Sequence, residues 1–422
     1  MSEPVAQVYL DLAGVPRRVG RLWAHRDRNG ERASFEFDST WLSDPLHYAL
    51  GPALPATTGA FHTRPGRALF GALGDSAPDR WGRRLITRNE ARKARAEGRT
   101  PRAPREIDFL LGVSDLVRQG ALRFRATIDG PFIAADDETH VPPLVNLPAL
   151  LTAANALADD PTSPAADDAV RLLLAPGSSL GGARPKASVR DRDGALAIAK
   201  FPEHSDDVDV IRWERMTLLL AQRAGIDTCE NRLEPAGASI VLLVTRFDRR
   251  GLERVPFLSA MSLMDAADGE QRSYVELFDA LRQIGSVPAT DGPQLWRRLA
   301  FNILASNFDD HLRNHAVLYD GRGWRLTPAY DLNPVPAHLS SRELSTAINV
   351  DGDRTASIEL AVEAAPEFML KKDEARTIAA EVARVTATWR RVAARMEIGG
   401  HDIEQLSSAF EHGELELARG WS

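Results

Sequence analysis

The chain has 422 residues, of which 44% are hydrophobic, and this length predicts two or three domains with enough apolar side chains to give each a packed core. Lys and Arg number 52 against 59 Asp and Glu, and a net charge of −7 argues against a protein that coats nucleic acid unaided. The lone cysteine, Cys229, excludes a disulfide-stapled scaffold and a cysteine-rich zinc site.

The N-terminal residues predict a β-rich module followed by a helix. Short β-prone runs at 8–10 and 19–23 are broken by turn residues, which indicates a small antiparallel sheet. From residue 70 to residue 78 the chain turns into a helix, and we expect Asp75 or Ser76 to cap it.

The middle of the chain predicts helices, a hairpin and a further helix. Two helices over 141–164 and 167–175 precede a Gly/Ser-rich loop. The runs 187–190 and 195–200 flank an Asp-Gly pair, which is typical of a tight β-hairpin. Periodic apolar residues over 208–224 then predict a helix that ends at a glycine.

The C-terminal part is predicted to be mainly helical. Beyond Tyr274 we expect one hairpin, around Asp320-Gly321, and two closing amphipathic helices over 373–397 and 401–419. A β-containing half followed by an α half places the chain in the α+β class.

The Gly/Ser-rich loop between Gly177 and Lys186 could bind an anion. Glycines allow backbone N–H groups to converge on a phosphate, and Arg184 and Lys186 add positive charge. Gly177 and Gly182 have the spacing of a Walker A loop, but the Lys-Ser/Thr pair of that motif is missing. A flexible connector remains an equal interpretation of these residues.

Lys200 ends the second strand of the predicted hairpin, and Glu214 lies within the next helix. A strand lysine that is held by a helix glutamate can bind nucleotide phosphates. Lysines at strand ends are usually solvated, so this pair alone does not decide between the two interpretations.

The most informative pattern is Asp309, Asn314 five residues later, and Asp331 after a short hairpin. Phosphoryl transfer needs one carboxylate to orient the attacking hydroxyl, and an amide oxygen with a second carboxylate to hold cations on the phosphates. The order and spacing of these residues match that chemistry.

Two weaker alternatives exist for the same segment. His311 and His315 are four residues apart, but the His-Glu-x-x-His pattern is missing, and a zinc site formed by Asp309, Asp310 and His311 would lack the helix geometry of that motif. Asp309 and Asp310 could also form a solvated cap after the helix predicted over 294–306. We expect Asn307 and His311 to stabilise the loop by hydrogen bonds rather than to react.

Together these segments resemble the HipA family of bacterial toxins, which are serine/threonine protein kinases of type II toxin–antitoxin modules. The resemblance covers most of the chain and rests on six segments in the same order. They are the N-terminal module through Phe70–Leu73, the loop Ser179–Lys186, the run Ala199–Pro202, the run Thr245–Arg249, the loop Asp309–Asn314 and the run Pro328–Asp331.

The resemblance implies a bilobal, protein-kinase-like fold with ATP and Mg²⁺ between the lobes. It divides the chain into an N-terminal β-rich subdomain (1–110), a kinase N-lobe (111–265) and an all-α C-lobe (266–422). The hinge that would bind adenine falls near 257–262.

The resemblance also assigns roles to residues. Asp309 matches the catalytic base, Asn314 and Asp331 match magnesium ligands, and Ser179 matches the serine that the family autophosphorylates. The residues expected to contact ATP are Lys200, Ser179, Gly181, Gly182, Lys186, His311, Asn314 and Asp331. Arg184, where the family often has Gln, and Asp310, where a basic residue is common, depart from the pattern without removing a catalytic group.

The implied partners are a HipB-like helix-turn-helix antitoxin, operator DNA mainly through that antitoxin, and a protein substrate such as an aminoacyl-tRNA synthetase. The first residues show no export signal, so we expect a cytoplasmic protein. Two other functions stay open: a small-molecule kinase of the aminoglycoside-kinase type, and a catalytically silent corepressor that binds an antitoxin.

Overall fold

A computed structural model of the chain describes residues 3–27, 30–135, 141–159, 163–177, 182–251, 253–339 and 341–421. It divides into two compact units. Unit 1 comprises residues 1–205 and 234–258, and unit 2 comprises residues 206–233 and 259–422.

Unit 1 begins with the predicted antiparallel sheet, which confirms the β-rich start of the chain. Its strand order is β4-β3-β2-β1-β5, and Val8, Leu10 and Phe35 are buried in it. The elements of residues 3–205 are strands β1 (Ala6–Leu12), β2 (Val15–Asp27), β3 (Gly30–Phe37), β4 (Ala60–His62), β5 (Leu122–Arg125), β6 (Lys186–Arg190) and β7 (Leu196–Lys200), and helices α1 (Ser39–Leu42), α2 (Gly71–Gly74), α3 (Arg80–Ala96), α4 (Glu106–Gly112), α5 (Leu147–Asp159) and α6 (Pro164–Gly177).

The second sheet of unit 1 contains the predicted Asp-Gly hairpin, β6–β7. Its strand order is β6-β7-β9-β8, in which β8 is Asn231–Ala236 and β9 is Ser239–Thr245. Trp81 and Leu85 of α3 share one buried apolar cluster with Leu173 of α6 and Val189 of β6, so α3 is anchored next to this sheet. Residues 206–259 form helix α7 (Val210–Arg223) and strands β8 (Asn231–Ala236), β9 (Ser239–Thr245), β10 (Arg249–Arg250), β11 (Glu253–Arg254) and β12 (Phe257–Ser259).

Unit 2 is built around a buried helix, α10. Trp296, Phe301 and Leu304 of this helix are fully buried. Because every residue from 298 to 304 is buried, the chain that leaves the C-terminus of this helix has a fixed starting point. The remaining elements are helices α8 (Ala260–Leu263), α9 (Tyr274–Ile284), α10 (Pro288–Leu304), α11 (Ile358–Ala364), α12 (Lys372–Thr386), α13 (Trp389–Arg395), α14 (Gly400–Phe410) and α15 (Gly413–Arg419), and strands β13 (Ala316–Tyr319) and β14 (Trp324–Leu326).

Two details of the predicted helices are wrong. Asp79, rather than Asp75 or Ser76, caps α3, because its carboxylate accepts the Trp81 N–H. Each closing helix is also divided in two. Thr388 directs its hydroxyl to the Val385 carbonyl where α12 ends, and His412 caps α15 by accepting the Leu415 N–H.

Within the part of the chain that the structure describes, no helix is long and apolar enough to cross a membrane.

Candidate functional site

The loop that carries Asp309 follows directly from α10. Ser306 turns the chain out of the helix with a left-handed backbone (φ +51°), and the Asn307 N–H donates to the Asn302 carbonyl at 2.9 Å. The loop therefore starts from a buried, hydrogen-bonded helix end, which limits where the next residues can lie.

Asp309 has the electrostatic character of a general base. Its side chain reaches solvent, yet the surrounding protein partly desolvates the carboxylate, and this raises its pKa above the ordinary value. The charge of Asp331 raises the pKa further, whereas His311 and Arg313 lower it. The two carboxylates are therefore close enough to interact. The raised value brings the pKa of Asp309 nearer to neutral pH, which suits a general base.

The loops that carry Asp309 and Asp331 are joined by hydrogen bonds. The Tyr330 hydroxyl donates to the Arg313 carbonyl at 2.8 Å, and the Asn333 N–H donates to Oδ1 of Asn307 at 3.0 Å. Three residues that the sequence places at a defined spacing are thus brought to one place in unit 2.

Asn314 and Asp331 carry oxygen atoms of the kind that hard cations take as ligands. Nδ2 of Asn314 donates to the Asp309 carbonyl at 2.7 Å, which leaves the amide oxygen as the atom that can face a cation. Asp331 has a left-handed backbone (φ +56°), which costs free energy in a residue with a Cβ. Strain of this kind is concentrated at functional sites.

Asp310 does not fit either alternative interpretation of the segment. It is 1% exposed, so it is not part of a solvated cap. Its carboxylate accepts the Tyr274 hydroxyl and the Ser345 N–H, both at 2.6 Å, so it does not join Asp309 in a zinc site. Within the described residues, no group of three or more His, Cys, Asp and Glu side chains is arranged to hold a metal ion.

His311 is half-buried and lies beside Asp309. Its carbonyl accepts the Asn314 N–H at 2.8 Å, so its backbone helps to shape the loop. Its Nδ1 atom is buried without a hydrogen-bond partner among the residues described. A contact from His311 to ATP stays a prediction.

In unit 1, Lys200 lies directly opposite Lys186 in the β6–β7 pair. Lys186 is 5% exposed and Lys200 is half-buried. Two ammonium groups in register on neighbouring strands can both contribute positive charge to a bound phosphate. The pair is therefore a candidate anion site.

Gly182 allows the backbone to approach this pair closely. Its φ is +91°, and a Cβ atom at this position would lie 2.6 Å from Nζ of Lys186. The flanks of the loop are held by α3, because the Trp81 indole donates to the Lys186 carbonyl at 2.9 Å. Two of the predicted ATP contacts, Ser179 and Gly181, lie outside the described residues.

Glu214, which the sequence suggests as a partner of Lys200, is buried on α7.

The sequence did not reveal several residues that organise these loops. Tyr330 is adjacent to Asp331 and a conspicuous aromatic, but its contact with Arg313 depends on tertiary structure. Tyr274 and Trp81 are apolar-face residues of helices, so their spacing indicates only a core role.

Comparison with known proteins identifies the family of the chain. A model described as HipA N-terminal domain matches residues 8–100, and one described as HipA-like C-terminal domain matches residues 178–389. The chain belongs to the HipA family. The match to the C-terminal domain includes Lys200, Asp309, Asn314 and Asp331.

Individual proteins are also similar to the chain. The protein Y4mE of Sinorhizobium fredii, provisionally named a kinase, is 27% identical over 336 residues, 73% of each chain. HipA of Shewanella oneidensis, solved with HipB and operator DNA, has a TM-score of 0.65 at 15% identity and covers 98% of this chain and 96% of its own. This likeness confirms the predicted α+β, HipA-like fold. A weaker likeness, to the proinflammatory kinase CtkA of Helicobacter pylori, has a TM-score of 0.40 at 13% identity over 56% of this chain and 94% of that one.

Proposed function

We propose that the chain is an ATP-dependent serine/threonine protein kinase and the toxin of a HipBA-like toxin–antitoxin module. The observation that carries the proposal is the joining of the Asp309 and Asp331 loops in unit 2. Asp309 accepts the proton of the attacking hydroxyl, and Lys200, with Lys186 opposite, binds the phosphates. The family assignment and the kinase-like name of Y4mE support the same reaction.

The residues present fit Mg²⁺. Asn314 and Asp331 supply an amide oxygen and a carboxylate, which are hard ligands of the kind this ion takes alongside nucleotide phosphates. The charge of Asp331 raises the pKa of Asp309, and a cation would relieve that unfavourable interaction. When bound, the ion would neutralise charge on the phosphates, while Asn314 and Asp331 orient it.

Replacing Asp331 by asparagine tests the metal role. We expect the Mg²⁺ concentration for half-maximal activity to rise about tenfold or more, because a neutral amide binds this ion less tightly than a carboxylate. A Mg²⁺ titration at saturating ATP measures the change. Asp279→Asn, on the exposed face of α9, is the matched control and should leave the titration unchanged. An unshifted midpoint in Asp331→Asn would exclude Asp331 as a ligand.

Autophosphorylation is tested on the loop serines. We expect the purified chain, incubated with ATP and Mg²⁺, to carry phosphate on Ser179, and mass spectrometry of its peptides should locate it. A phosphate brings up to two negative charges into a loop built to bind anions, so its addition should lower activity. Ser179→Ala should abolish the modification and Ser178→Ala should not. Phosphate on Ser178 in the parent chain would contradict the assignment.

The substrate and partners belong to the same proposal. We propose that the chain acts in the cytoplasm on a protein substrate of the translation machinery, such as an aminoacyl-tRNA synthetase, and that its partner is a HipB-like antitoxin through which it contacts operator DNA. The solved complex of the Shewanella HipA with HipB and DNA supports the choice of partner.

Labelled ATP distinguishes this function from the others. Transfer of the γ-phosphate to serine or threonine of a protein supports it. Transfer to an aminoglycoside or sugar alone would indicate a small-molecule kinase, and ATP binding without any transfer would indicate a silent corepressor.

A further inference from the structure

The buried residue next to the candidate base is unusually well bonded. Asp310 accepts the Tyr274 hydroxyl at Oδ2 and the N–H groups of Ser345 and Thr346 at Oδ1, at 2.6, 2.6 and 3.3 Å. Its backbone carbonyl accepts the Thr346 hydroxyl at 2.7 Å and a bond from the His315 ring. The Asp310 side chain and the peptide that joins Asp310 to His311 are therefore both fixed, directly after Asp309.

The Tyr274 hydroxyl continues this bonding towards the second loop. It accepts a hydrogen bond from Nδ2 of Asn302 at 2.8 Å. Oδ1 of Asn302 accepts a hydrogen bond from Nδ2 of Asn307 at 3.0 Å. Oδ1 of Asn307 in turn accepts the Asn333 N–H at 3.0 Å, and Nδ2 of Asn333 lies 3.4 Å from Oδ1 of Asp331. One continuous chain of hydrogen bonds thus runs through unit 2 from Asp310 to the Asp331 loop.

We propose that the Asp310 carboxylate is a positioning residue, which orients Asp309 and holds the Asp309 and Asp331 loops together through the chain of bonds from Tyr274 to Asn333. This role rests on the proposed kinase function. The bonding favours the ionised form of Asp310, because each of its side-chain partners donates to it.

The surroundings explain how this carboxylate responds to pH. Burial raises the pKa of Asp310 to about 7, although its hydrogen bonds oppose the rise. Ionisable groups near it are Tyr274 on α9, and His311 and His315 on its own loop. The positive charge of Arg298, on α10, lowers the pKa of both Tyr274 and His315. Burial lowers the pKa of His315 to about 3, so this ring stays neutral near pH 7.

Protonation should break the chain of bonds. A protonated Asp310 must donate its proton to the Tyr274 hydroxyl oxygen. The Tyr274 hydroxyl proton then has no acceptor, because Oδ1 of Asn302 already accepts a hydrogen bond from Asn307. Activity of the parent chain should therefore rise with pH through about 7. The free energy of unfolding should change in the opposite direction. Because folding raises the pKa of Asp310, the folded chain keeps this proton to a higher pH than the unfolded chain does. The contribution of Asp310 to stability should therefore fall as pH rises from about 4 to about 7.

The test compares Asp310→Asn and Tyr274→Phe with the control Asp279→Asn. The initial rate of protein phosphorylation from γ-labelled ATP is measured over a range of ATP concentrations at saturating Mg²⁺, from pH 5.5 to 9, which gives kcat and KM at each pH. We expect Asp310→Asn to lower kcat about 10- to 100-fold with KM for ATP unchanged, as other supporting residues around active sites do. It should also lack the rise of activity near pH 7.

Tyr274→Phe should instead move that rise to higher pH, because the carboxylate loses a donor that stabilises its charge. At pH 8 the Tm of Asp310→Asn should equal or exceed that of the parent chain, since a buried charge has been removed. A purely structural residue would lower Tm and leave the pH profile in place.

The outcomes separate the two proposals. If the parent chain is active and Asp310→Asn matches its kcat and pH profile, or loses activity only by unfolding at pH 8, the positioning role is wrong and the kinase function stands. If the parent chain transfers no phosphate at any pH, the kinase function fails and the positioning role fails with it.

Discussion

Asp309→Ala is expected to lower the rate of phosphoryl transfer by about 10²- to 10⁴-fold, which is the usual contribution of a general base. Partial burial and the charge of Asp331 raise the pKa of this solvent-reaching carboxylate above its ordinary value. In the proposed reaction, its removal takes away the acceptor for the proton of the attacking hydroxyl. Labelling of protein from γ-labelled ATP, followed over time, measures the loss.

ATP binding provides the control for this variant. Because Asp309 is assigned to the chemical step, the Kd for ATP with Mg²⁺ should stay within about threefold of the parent value. Asp279→Ala, an aspartate exposed on α9 and paired with Arg282, should retain full activity. Parent-like labelling by Asp309→Ala would remove Asp309 from the reaction, and a large loss of ATP affinity would indicate a binding role instead.

The sequence predicted the parts of this site that depend on local order. Asp309, Asn314 and Asp331 could be singled out because the reaction needs those residue types in that succession, and the short hairpin between them is marked by Asp320-Gly321. The Lys186–Lys200 pair could be anticipated for a similar reason, because a tight turn at Asp193-Gly194 fixes which residues oppose each other.

The rest depends on contacts between distant residues. Two consecutive aspartates are typical of a solvated cap, and the burial of Asp310 comes from Tyr274, 36 positions earlier, and Ser345, 35 positions later. The cap of α3 was misplaced because Asp75, Ser76 and Asp79 are all good capping residues. The sequence could not show which of these side chains lies within reach of an N–H group in the first turn of the helix.

The run Thr245–Arg249 shows how tertiary contacts give meaning to a motif that the sequence only marks. Asp248 accepts bonds from Arg246 at 2.6 Å, Arg249 at 2.9 Å and the Gly120 N–H at 2.8 Å. Arg246 and Arg249 also donate to the Val117 and Arg118 carbonyls. This buried network, within unit 1, ties the end of β9 to the segment that follows α4.

The charges in this network depend on one another. Burial alone would raise the pKa of Asp248, but Arg246 and Arg249 hold it well below its usual range. Burial lowers the pKa of Arg249 to about 9, although Asp248 opposes the shift. A buried charge that loses its partner keeps the full cost of desolvation, so removal of Asp248 leaves two guanidinium groups uncompensated.

Asp248→Ala should therefore destabilise unit 1 by about 3–5 kcal/mol, the usual cost of removing one partner from a buried ion pair. Urea unfolding, followed by the fluorescence of Trp residues, measures the change. The matched control is Asp168→Ala, whose carboxylate is 79% exposed and paired with Arg171, and which should cost no more than about 0.5 kcal/mol. Equal stability of the two variants would show that Asp248 does not hold the network together, and the run Thr245–Arg249 would then need a role other than joining β9 to Val117–Gly120.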